Sequence, residues 1–361
     1  MHKHINKLIV AALGVSMVLG MTGCSNNKNG NVDAVYSEKE ASTTKALSIG
    51  DYDIYMDEVT MYAMQEIYLY GLSSDSLTDE DIETNKEAVL SLLRQNKIIY
   101  NVAINNDVEL TDSDKEYVEN SVANFKSRFD EDILGAYGIS DDTVQRIFEE
   151  QAIVSKFEND IKNDMGQTIE EDMKKQFGDV KFHSLYYMLF PTVEIEDGNP
   201  KKNSDGSYVY VSDEEKEKIK KQAEEARQKI VDGASYTDVA AEYGIADYSS
   251  ERTGYVGSYD TDEMNELMDT MKNGECMEVY EDTLGYAVVV MVNADDAELR
   301  DSFISYTVSD TLSSEYEKVE KMWLSTIPVD TENDLEGTVW ADFDFVGLIK
   351  AMEKKGIVGN Q

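Results

Sequence analysis

The stretch DTLGYAVVVMV, residues 282–292, decides the fold class of the middle of this chain. Its uninterrupted apolar run from Tyr286 to Val292 predicts a buried strand. Upstream, residues 180–196 are rich in β-forming side chains, and residues 196–207 (EDGNPKKNSDGS) are rich in turn-forming ones. Because helical patterns alternate with short extended ones between these two regions, residues 179–294 predict an α+β domain.

The segments on both sides of this domain are predicted to be helical. From Ile82 to Asn106 apolar residues recur with the i, i+3, i+4, i+7 spacing of an amphipathic helix, and near-helical spacing returns from Leu299 to Trp323. Each helical set alone would expose an apolar stripe. We therefore expect residues 295–361 to pack back on residues 46–178, so that the α+β domain is inserted in a helical lobe.

The N-terminus has the order of a secretory signal. A short basic region (MHKHINK) precedes an apolar run from Leu8 to Met21 that is too short to span a bilayer of about 30 Å. Met21-Thr22-Gly23-Cys24 resembles the lipobox of bacterial lipoproteins, which implies acylation of Cys24 and removal of residues 1–23. The alternative is an ordinary signal peptide with an incidental cysteine. Residues 24–45 are polar and predict a flexible tether.

Charge and rare residues exclude several classes of function. The formal net charge is −40 with a pI of about 4.2, which argues against nucleic acid because phosphate binding needs clustered Lys and Arg. The two cysteines are Cys24 and Cys276, so an acylated Cys24 leaves no intrachain disulfide. Zinc sites built from cysteine and histidine are excluded by their number. No motif for a metal or a nucleotide cofactor is present, and we expect neither group.

Four runs in register give the middle domain a family resemblance. They are DGASYTDVAAEYGIAD (232–247), RTGYVG (252–257), MKNGECMEV (271–279) and DTLGYAVVVMV (282–292). In order and spacing they resemble parvulin-type peptidyl-prolyl isomerases. In the N-terminal half, LSIGDYDIYMDEV (47–59) and NDVELTDSDKEYVENSV (106–122) resemble the helical domain of PrsA-like foldases and SurA-like chaperones. The resemblance implies a parvulin domain inserted in a helical chaperone lobe.

Parvulins are associated with two histidines, an acid or cysteine, and a proline pocket of Met or Leu with Phe. The resemblance places the first histidine at His183, although a strict residue count puts Ser184 there, with the histidine on the opposite face of the strand. The second histidine is replaced by Ala287, and the acid by Ala246 with Asp247 one step on. Met264 falls near the pocket Phe, and Asp269 near a downstream aromatic residue. His183 is therefore the candidate catalytic residue, with a structural role in the strand, exposed or hydrogen-bonded, as the alternative.

Aromatic residues around the first strand, Tyr187 among them, supply the candidate substrate contacts. We expect Phe182, Tyr186, Tyr255 and Met264 to bind substrate, because Tyr and Met are adaptable in peptide-binding surfaces. The alternative is that the aromatic side chains form the core of the domain.

The sequence as a whole predicts a membrane-anchored, extracytoplasmic foldase. Its partners are unfolded or newly exported polypeptides and, through acylated Cys24, the lipid bilayer. The missing histidine at Ala287 implies that isomerase activity is weak or lost. Two alternatives stay open: an active parvulin isomerase that assists secreted proteins, and a solute-binding lipoprotein, which would require two doubly wound α/β lobes.

Overall fold

The computed structural model of the chain describes residues 32–49, 52–196, 198–326 and 337–359. The predicted signal peptide and Cys24 lie outside these ranges. Within them, no helix combines the length and apolar character needed to cross a membrane. The chain divides into two compact units. Unit 1 comprises the described parts of residues 1–165 and 313–361, and unit 2 comprises residues 166–312.

Helices make up most of the described chain. In order they are α1 (Glu38–Ala41), α2 (Met56–Tyr70), α3 (Asp79–Asn105), α4 (Asp112–Arg128), α5 (Glu131–Ala136), α6 (Asp141–Phe177), α7 (Asp213–Val231), α8 (Tyr236–Glu242), α9 (Asp262–Thr270), α10 (Ala297–Leu324) and α11 (Phe345–Lys354). The strands are β1 (Lys45–Ile49), β2 (Tyr52–Tyr55), β3 (Phe182–Pro191), β4 (Ile195–Glu196), β5 (Asn199–Pro200), β6 (Ser249–Tyr255), β7 (Tyr280–Asp282) and β8 (Gly285–Asn293). This mixture confirms the predicted α+β class.

Unit 1 is a helical lobe with one antiparallel pair of strands, β1 and β2. Its core contains fully buried side chains from α2, α3, α6 and α11, among them Met61, Leu93, Ile147 and Leu348. The C-terminal residues belong to this core. The Trp340 indole is completely buried and its Nε1–H donates to the backbone oxygen of Lys86 at 3.3 Å. Residues 337–359 therefore complete the apolar core that the N-terminal helices begin.

The predicted tether ends earlier than residue 45. The backbone N–H groups of Val35 and Tyr36 both donate to the carbonyl oxygen of Ala136, at 2.6 and 3.1 Å. Ser37 caps α1 through a capping box with Glu40, and Ala41 is completely buried. The prediction of a flexible tether is therefore wrong for the second half of residues 24–45. The polar composition of this segment gave no sign of the short capped helix α1, which belongs to unit 1.

Unit 2 is built on a four-stranded antiparallel sheet with the order β6-β3-β8-β7. Helices α7 and α8 cover one face, where Met188, Phe190, Val288 and Val290 are buried. The opposite face contributes Leu185, Val289 and Met291 to a second core with Met268 of α9. The antiparallel sheet does not provide the two doubly wound lobes that a solute-binding lipoprotein would need, so that alternative is wrong.

The borders between the units lie inside helices. Both α6 and α10 run from one unit into the other, with borders after Met165 and Leu312. The sequence placed the borders of the inserted domain at residues 179 and 294, where the β-pattern begins and ends. Helical periodicity continues through each border, so it gives no sign of where a helix changes packing partners.

Candidate functional site

A cleft of about 610 Å³ opens on the face of the sheet that carries Leu185 and Val289. Side chains alternate across a strand, so Leu185 and Tyr187 of β3 point to this face, while Tyr186 and Met188 point to the face that α7 and α8 cover. The cleft is lined by both apolar and polar side chains. Apolar lining comes from Leu185, Met264, Met268, Met277 and Val289; polar lining includes Tyr187, Arg252, Tyr259, Tyr280 and Asp282.

Methionines give the cleft its adaptable surface. Met264 and Met268 lie one turn apart on α9, and Met277 is held beside β8 because its N–H donates to the oxygen of Val289 at 2.9 Å. Met268 and Met277 are buried, whereas Met264 is half-buried. An unbranched thioether fills irregular space and accepts differently shaped apolar partners. This wall can therefore take up a proline ring or another apolar side chain.

His183 is completely buried beneath the cleft surface. Its Nδ1 lies 3.0 Å from the hydroxyl oxygen of Tyr259, and its Nε2 has no hydrogen-bond partner among the described residues. Burial lowers the pKa of His183, the nearby charge of Lys181 lowers it further, and Asp269 and Asp295 act in the opposite direction. Burial therefore favours the neutral imidazole, and Tyr259 is the side chain of this pair that lines the cleft. The alternative that His183 is exposed is therefore wrong, whereas the alternative that it is hydrogen-bonded agrees with the structure.

Gly254 makes the histidine–tyrosine contact possible. It pairs with His183 across the β3–β6 ladder. A Cβ atom at Gly254 would lie 2.6 Å from the Tyr259 hydroxyl oxygen, closer than any ordinary contact. Only a residue without a side chain lets the Tyr259 ring approach the strand and reach the imidazole. Burial raises the pKa of Tyr259 to about 12, so its hydroxyl stays protonated at neutral pH.

The alternative position Ser184 does not line the cleft either. Its hydroxyl donates to the Asp296 carboxylate at 2.5 Å, and Asp296 accepts a hydrogen bond from the N–H of Leu299 in the first turn of α10. Ser184 therefore ties β3 to the start of a helix. In both possible registers the polar side chain at the position of the first histidine, Ser184 or His183, makes a structural hydrogen bond.

Ala287, where the second histidine was expected, is completely buried between Leu189 and Tyr280 in the ladder. The polar groups of the cleft come from other residues. The Tyr187 hydroxyl donates to the Asp282 carboxylate at 2.5 Å, and the Arg252 guanidinium lies 4.4 Å from the centre of the Tyr187 ring. Burial, and after it the bond to Asp282, raises the pKa of Tyr187 well above its ordinary value. This set can bind and orient a peptide, but it contains no activated nucleophile.

The structure separates the predicted substrate contacts. Met264 lines the cleft. Phe182 and Tyr255 instead stack on each other at 5.0 Å between ring centres, with Phe177 and Phe303 around them. Tyr186 points to the other face of the sheet, where its ring lies 4.6 Å from that of Tyr236. For these three aromatic residues the structure favours the alternative interpretation, a place in the core.

Sequence reasoning missed Arg252, Tyr259, Met268, Met277 and Asp282. For Tyr187, period-two alternation shows that it shares a face with Leu185, but not that this face meets the cleft. The others depend on which loops fold over the sheet, and single-sequence patterns do not contain that information. Among the described residues, no group of three or more histidine, cysteine or acidic side chains is arranged to hold a metal ion.

Comparison with known proteins relates part of this chain to a family. Residues 201–293 match the family model of the rotamase described as the PPIC-type PPIase domain. The matched range starts after β3, so it does not include His183. It contains the Ala287 position, α9 and most of the cleft wall. No curated protein matches the chain at a significant level.

Solved structures of similar proteins are distant in sequence. PrsA from Bacillus subtilis is 14% identical, with 70% of this chain and 90% of that chain covered and a TM-score of 0.25. The foldase protein PrsA from Lactococcus lactis is 13% identical, with 86% and 99% covered and a TM-score of 0.29. The peptidylprolyl isomerase PrsA from Bacillus cereus is 13% identical, with 90% and 100% covered and a TM-score of 0.27.

Proposed function

We propose that this chain, whose residues 201–293 match the PPIC-type PPIase family model, is an exported foldase. It holds unfolded polypeptides in the cleft of unit 2, with isomerase activity weak or lost. One observation supports it above all. The cleft keeps its methionine-lined apolar wall, while Ala287 stands buried where the family has a hydrogen-bonding histidine. These two features support a site that still binds clients but lacks one of the family's catalytic groups.

The holding function rests on the composition of the cleft. The apolar part of its lining, which includes Leu185, Met277 and Val289, gives apolar side chains of a client a surface on which to bury. Met264 and Met268 provide a surface that can repack around different side chains, which suits a protein that must accept many sequences. The half-buried Met264 is the member of this set most accessible to an incoming chain.

The weak isomerase activity rests on the chemistry of the barrier. Rotation about the peptide bond faces about 18–20 kcal/mol, and lowering it requires groups that bind the twisted amide better than the planar one. At this site His183 is buried behind Tyr259, and the hydroxyl of Tyr187 already donates to Asp282. As arranged, neither His183 nor Tyr187 offers an accessible free donor to the twisted amide.

The active isomerase remains the second candidate, and one feature favours it. Tyr187, Tyr280, Asp282 and Arg252 form a polar cluster within the cleft, and Tyr280 pairs directly with Ala287. A client carbonyl that displaced one of these contacts would gain a hydrogen bond close to the position of the missing histidine. Measured turnover on proline peptides separates the two candidates.

The cellular placement rests on the sequence alone. Met21-Thr22-Gly23-Cys24 supports acylation of Cys24, with the folded units on the outer face of the cell membrane and unfolded exported polypeptides as partners. Incorporation of a labelled fatty acid into the wild-type chain and its loss in Cys24→Ser tests the anchor. Labelling that persists in Cys24→Ser would reject it.

The cleft is tested with a matched pair of variants on α9. Met264 lines the cleft, whereas Leu267 lies on the same helix, is 40% exposed and does not line it. The soluble form from Ser25 onward is titrated against a reduced, carboxymethylated model protein that stays unfolded. We expect Met264→Lys to weaken binding at least tenfold and Leu267→Lys to leave it unchanged. Equal affinities for the wild type and Met264→Lys would reject the cleft as the binding site.

A further inference from the structure

Strand β6 forms one edge of the sheet in unit 2. Its residues 250–253 are exposed to solvent. An edge strand presents backbone N–H and C=O groups that a further strand can pair with, and proteins normally close such edges with turns or charges.

The register of the ladder identifies the outward-facing groups. The N–H of Val256 donates to the oxygen of Lys181 at 3.0 Å, so the hydrogen-bonded pairs alternate from that point. Gly254 and Arg252 then direct their backbone groups toward β3, and Thr253 and Glu251 direct theirs away from it. On the other side of β3, the Phe182 oxygen accepts from the N–H of Asp296 at 2.8 Å, as this register requires.

Both ends of the edge are closed by the chain itself. At one end the N–H of Ser249 donates to the oxygen of Ala246. At the other end the N–H of Tyr255 donates to the hydroxyl of Ser258 at 3.0 Å, and the Tyr255 oxygen accepts from the N–H of Ser258 at 2.9 Å. The outward backbone groups of Glu251 and Thr253 have no hydrogen-bond partner in the described part of the chain. They form a short open window between two closed ends.

The window is continuous with the cleft. Arg252, the residue between the two open positions, lines the cleft and lies over the Tyr187 ring. The Glu251 and Arg252 side chains are both exposed to solvent. A strand added at the window would place one side chain opposite Arg252 on the cleft face, and the next one opposite Glu251 on the far face.

We infer that the window at Glu251 and Thr253 accepts a short extended segment of a client polypeptide as an added strand, beside the cleft. Opposite charges directly across an antiparallel pair are favourable, so the preferred segment has an acidic residue opposite Arg252 and a neighbouring basic residue opposite Glu251. Main-chain hydrogen bonds would supply affinity for many sequences, and these two positions would supply selectivity. This inference rests on the proposed holding function and specifies how the client is held.

The probe is a labelled eight-residue peptide of alternating valine and threonine, with a central glutamate and a lysine beside it. Its charge-reversed form and a form with N-methyl groups on the central pairing amides serve as peptide controls. On the protein side, Thr253→Pro removes an outward N–H without removing a bond to β3, which is the position where an edge strand tolerates proline. Thr253→Val keeps the N–H and the shape of the side chain.

If a strand is added, the peptide binds the wild type and Thr253→Val alike, and binds Thr253→Pro at least tenfold more weakly, a factor of ten being about 1.4 kcal/mol. The N-methylated peptide weakens to the same extent on the wild type, which keeps the test valid if Thr253→Pro fails to fold. Hydrogen exchange at the amides of Glu251 and Thr253 slows when the peptide is bound.

Three results would overturn the inference. The N-methylated peptide could bind the wild type as well as the unmodified one. The two amides could show no added protection. Or a concentration-dependent dimer could form that Thr253→Pro abolishes, which would assign the window to a second copy of the chain. None of these results contradicts the proposed holding function. That function is rejected only if the wild type does not bind the unfolded model protein, or if Met264→Lys binds it equally well.

Discussion

Replacing Lys97 with methionine tests how the helical unit is held together. Lys97 of α3 lies between two glutamates on other helices. Its Nζ is 2.7 Å from Glu58 Oε1 on α2 and 2.6 Å from Glu150 Oε2 on α6. The side chains of Lys97, Glu58 and Glu150 are only 12%, 5% and 10% exposed. The variant keeps an unbranched apolar stem and removes the charge that both carboxylates share.

The expected cost follows from what remains after the change. Removing one partner of a buried ion pair typically costs about 3–5 kcal/mol, because the remaining charge stays buried without compensation. Arg146 still reaches both glutamates, at 3.3 and 3.0 Å, but its side chain is 44% exposed and its charge is partly screened by solvent. We therefore expect Lys97→Met to lower the free energy of unfolding of unit 1 by about 3 kcal/mol, near the lower end of that range.

The assay uses the tryptophans of the chain. Both of them, Trp323 and Trp340, belong to unit 1 and are buried. Tryptophan fluorescence in a urea titration therefore follows the unfolding of unit 1 without a signal from unit 2. Lys156→Met is the matched control, because Lys156 pairs with Asp160 at 3.0 Å on the surface of α6. Such an exposed pair contributes only about 0.3–0.5 kcal/mol.

Two outcomes would refute this reasoning. One is a loss in Lys97→Met below about 1 kcal/mol, no larger than a surface pair contributes. The other is a double variant, Lys97→Met with Glu150→Gln, that is no more stable than Lys97→Met alone. In that variant one of the two uncompensated carboxylates is removed, so the free energy of unfolding should partly recover.

Three further predictions concern ionisation and close packing. Burial raises the pKa of Glu66 from 4.5 to about 7, so folding favours its protonated form and unit 1 loses stability as pH rises between these values. Glu66→Gln should therefore stabilise unit 1 at pH 8 and hardly at pH 4, as measured by tryptophan fluorescence during unfolding. An equal gain in stability at both pH values would contradict this. The pKa of His183 is lowered from 6.5, so unit 2 should lose stability as pH falls below that value; amide hydrogen exchange in β3 and β8 should show this loss, and His183→Gln should remove it. An unchanged pH dependence in His183→Gln would assign the loss to other groups. Gly254→Ala should push the Tyr259 hydroxyl away from His183 and admit water, so that the imidazole titrates closer to its ordinary pKa. In the form from Ser25 onward His183 is the single histidine, so its proton NMR signals follow the titration directly. Tyr259→Phe removes the hydroxyl without the clash, and an imidazole titration identical to wild type in both variants would show that Tyr259 does not set its surroundings.

The sequence was sufficient for the class of the fold and for the family of its middle domain. The buried strand at residues 286–292 and the four spaced motifs are local signals, and the PPIC-type match over residues 201–293 confirms the parvulin resemblance. Helix starts also carry a local signal where a capping residue precedes an apolar pattern. Thr111 forms such a capping box with Asp114.

The faces of β3 were not readable. In FHSLYYMLF, residues 182–190, large apolar or aromatic side chains occur at both odd and even positions. Period-two alternation then shows which residues share a face, but not which face meets the cleft. Tyr186 was expected to contact substrate and Tyr187 does line the cleft, a difference of one residue that only the positions of α7, α8 and α9 decide.

The close contact between His183 and Tyr259 was also beyond the sequence. The two residues are joined only because Gly254 leaves room for the ring on the neighbouring strand. Nothing in the local pattern of residues 252–259 distinguishes a glycine needed for packing from one needed for a turn. The position of Ala287 needed no structure, because the motif around Gly285-Tyr286 fixes its place in the family pattern.

The most direct test of the account is the rate of cis-to-trans isomerisation on a panel of X-Pro peptides. It uses the form from Ser25 onward, with His183→Ala in parallel and the same peptides competing against the unfolded model protein. We predict that the peptides compete for the cleft while neither protein exceeds the uncatalysed rate appreciably. A wild-type chain that strongly accelerates the reaction, with the acceleration lost in His183→Ala, would contradict the account and make His183 a catalytic residue of an active isomerase.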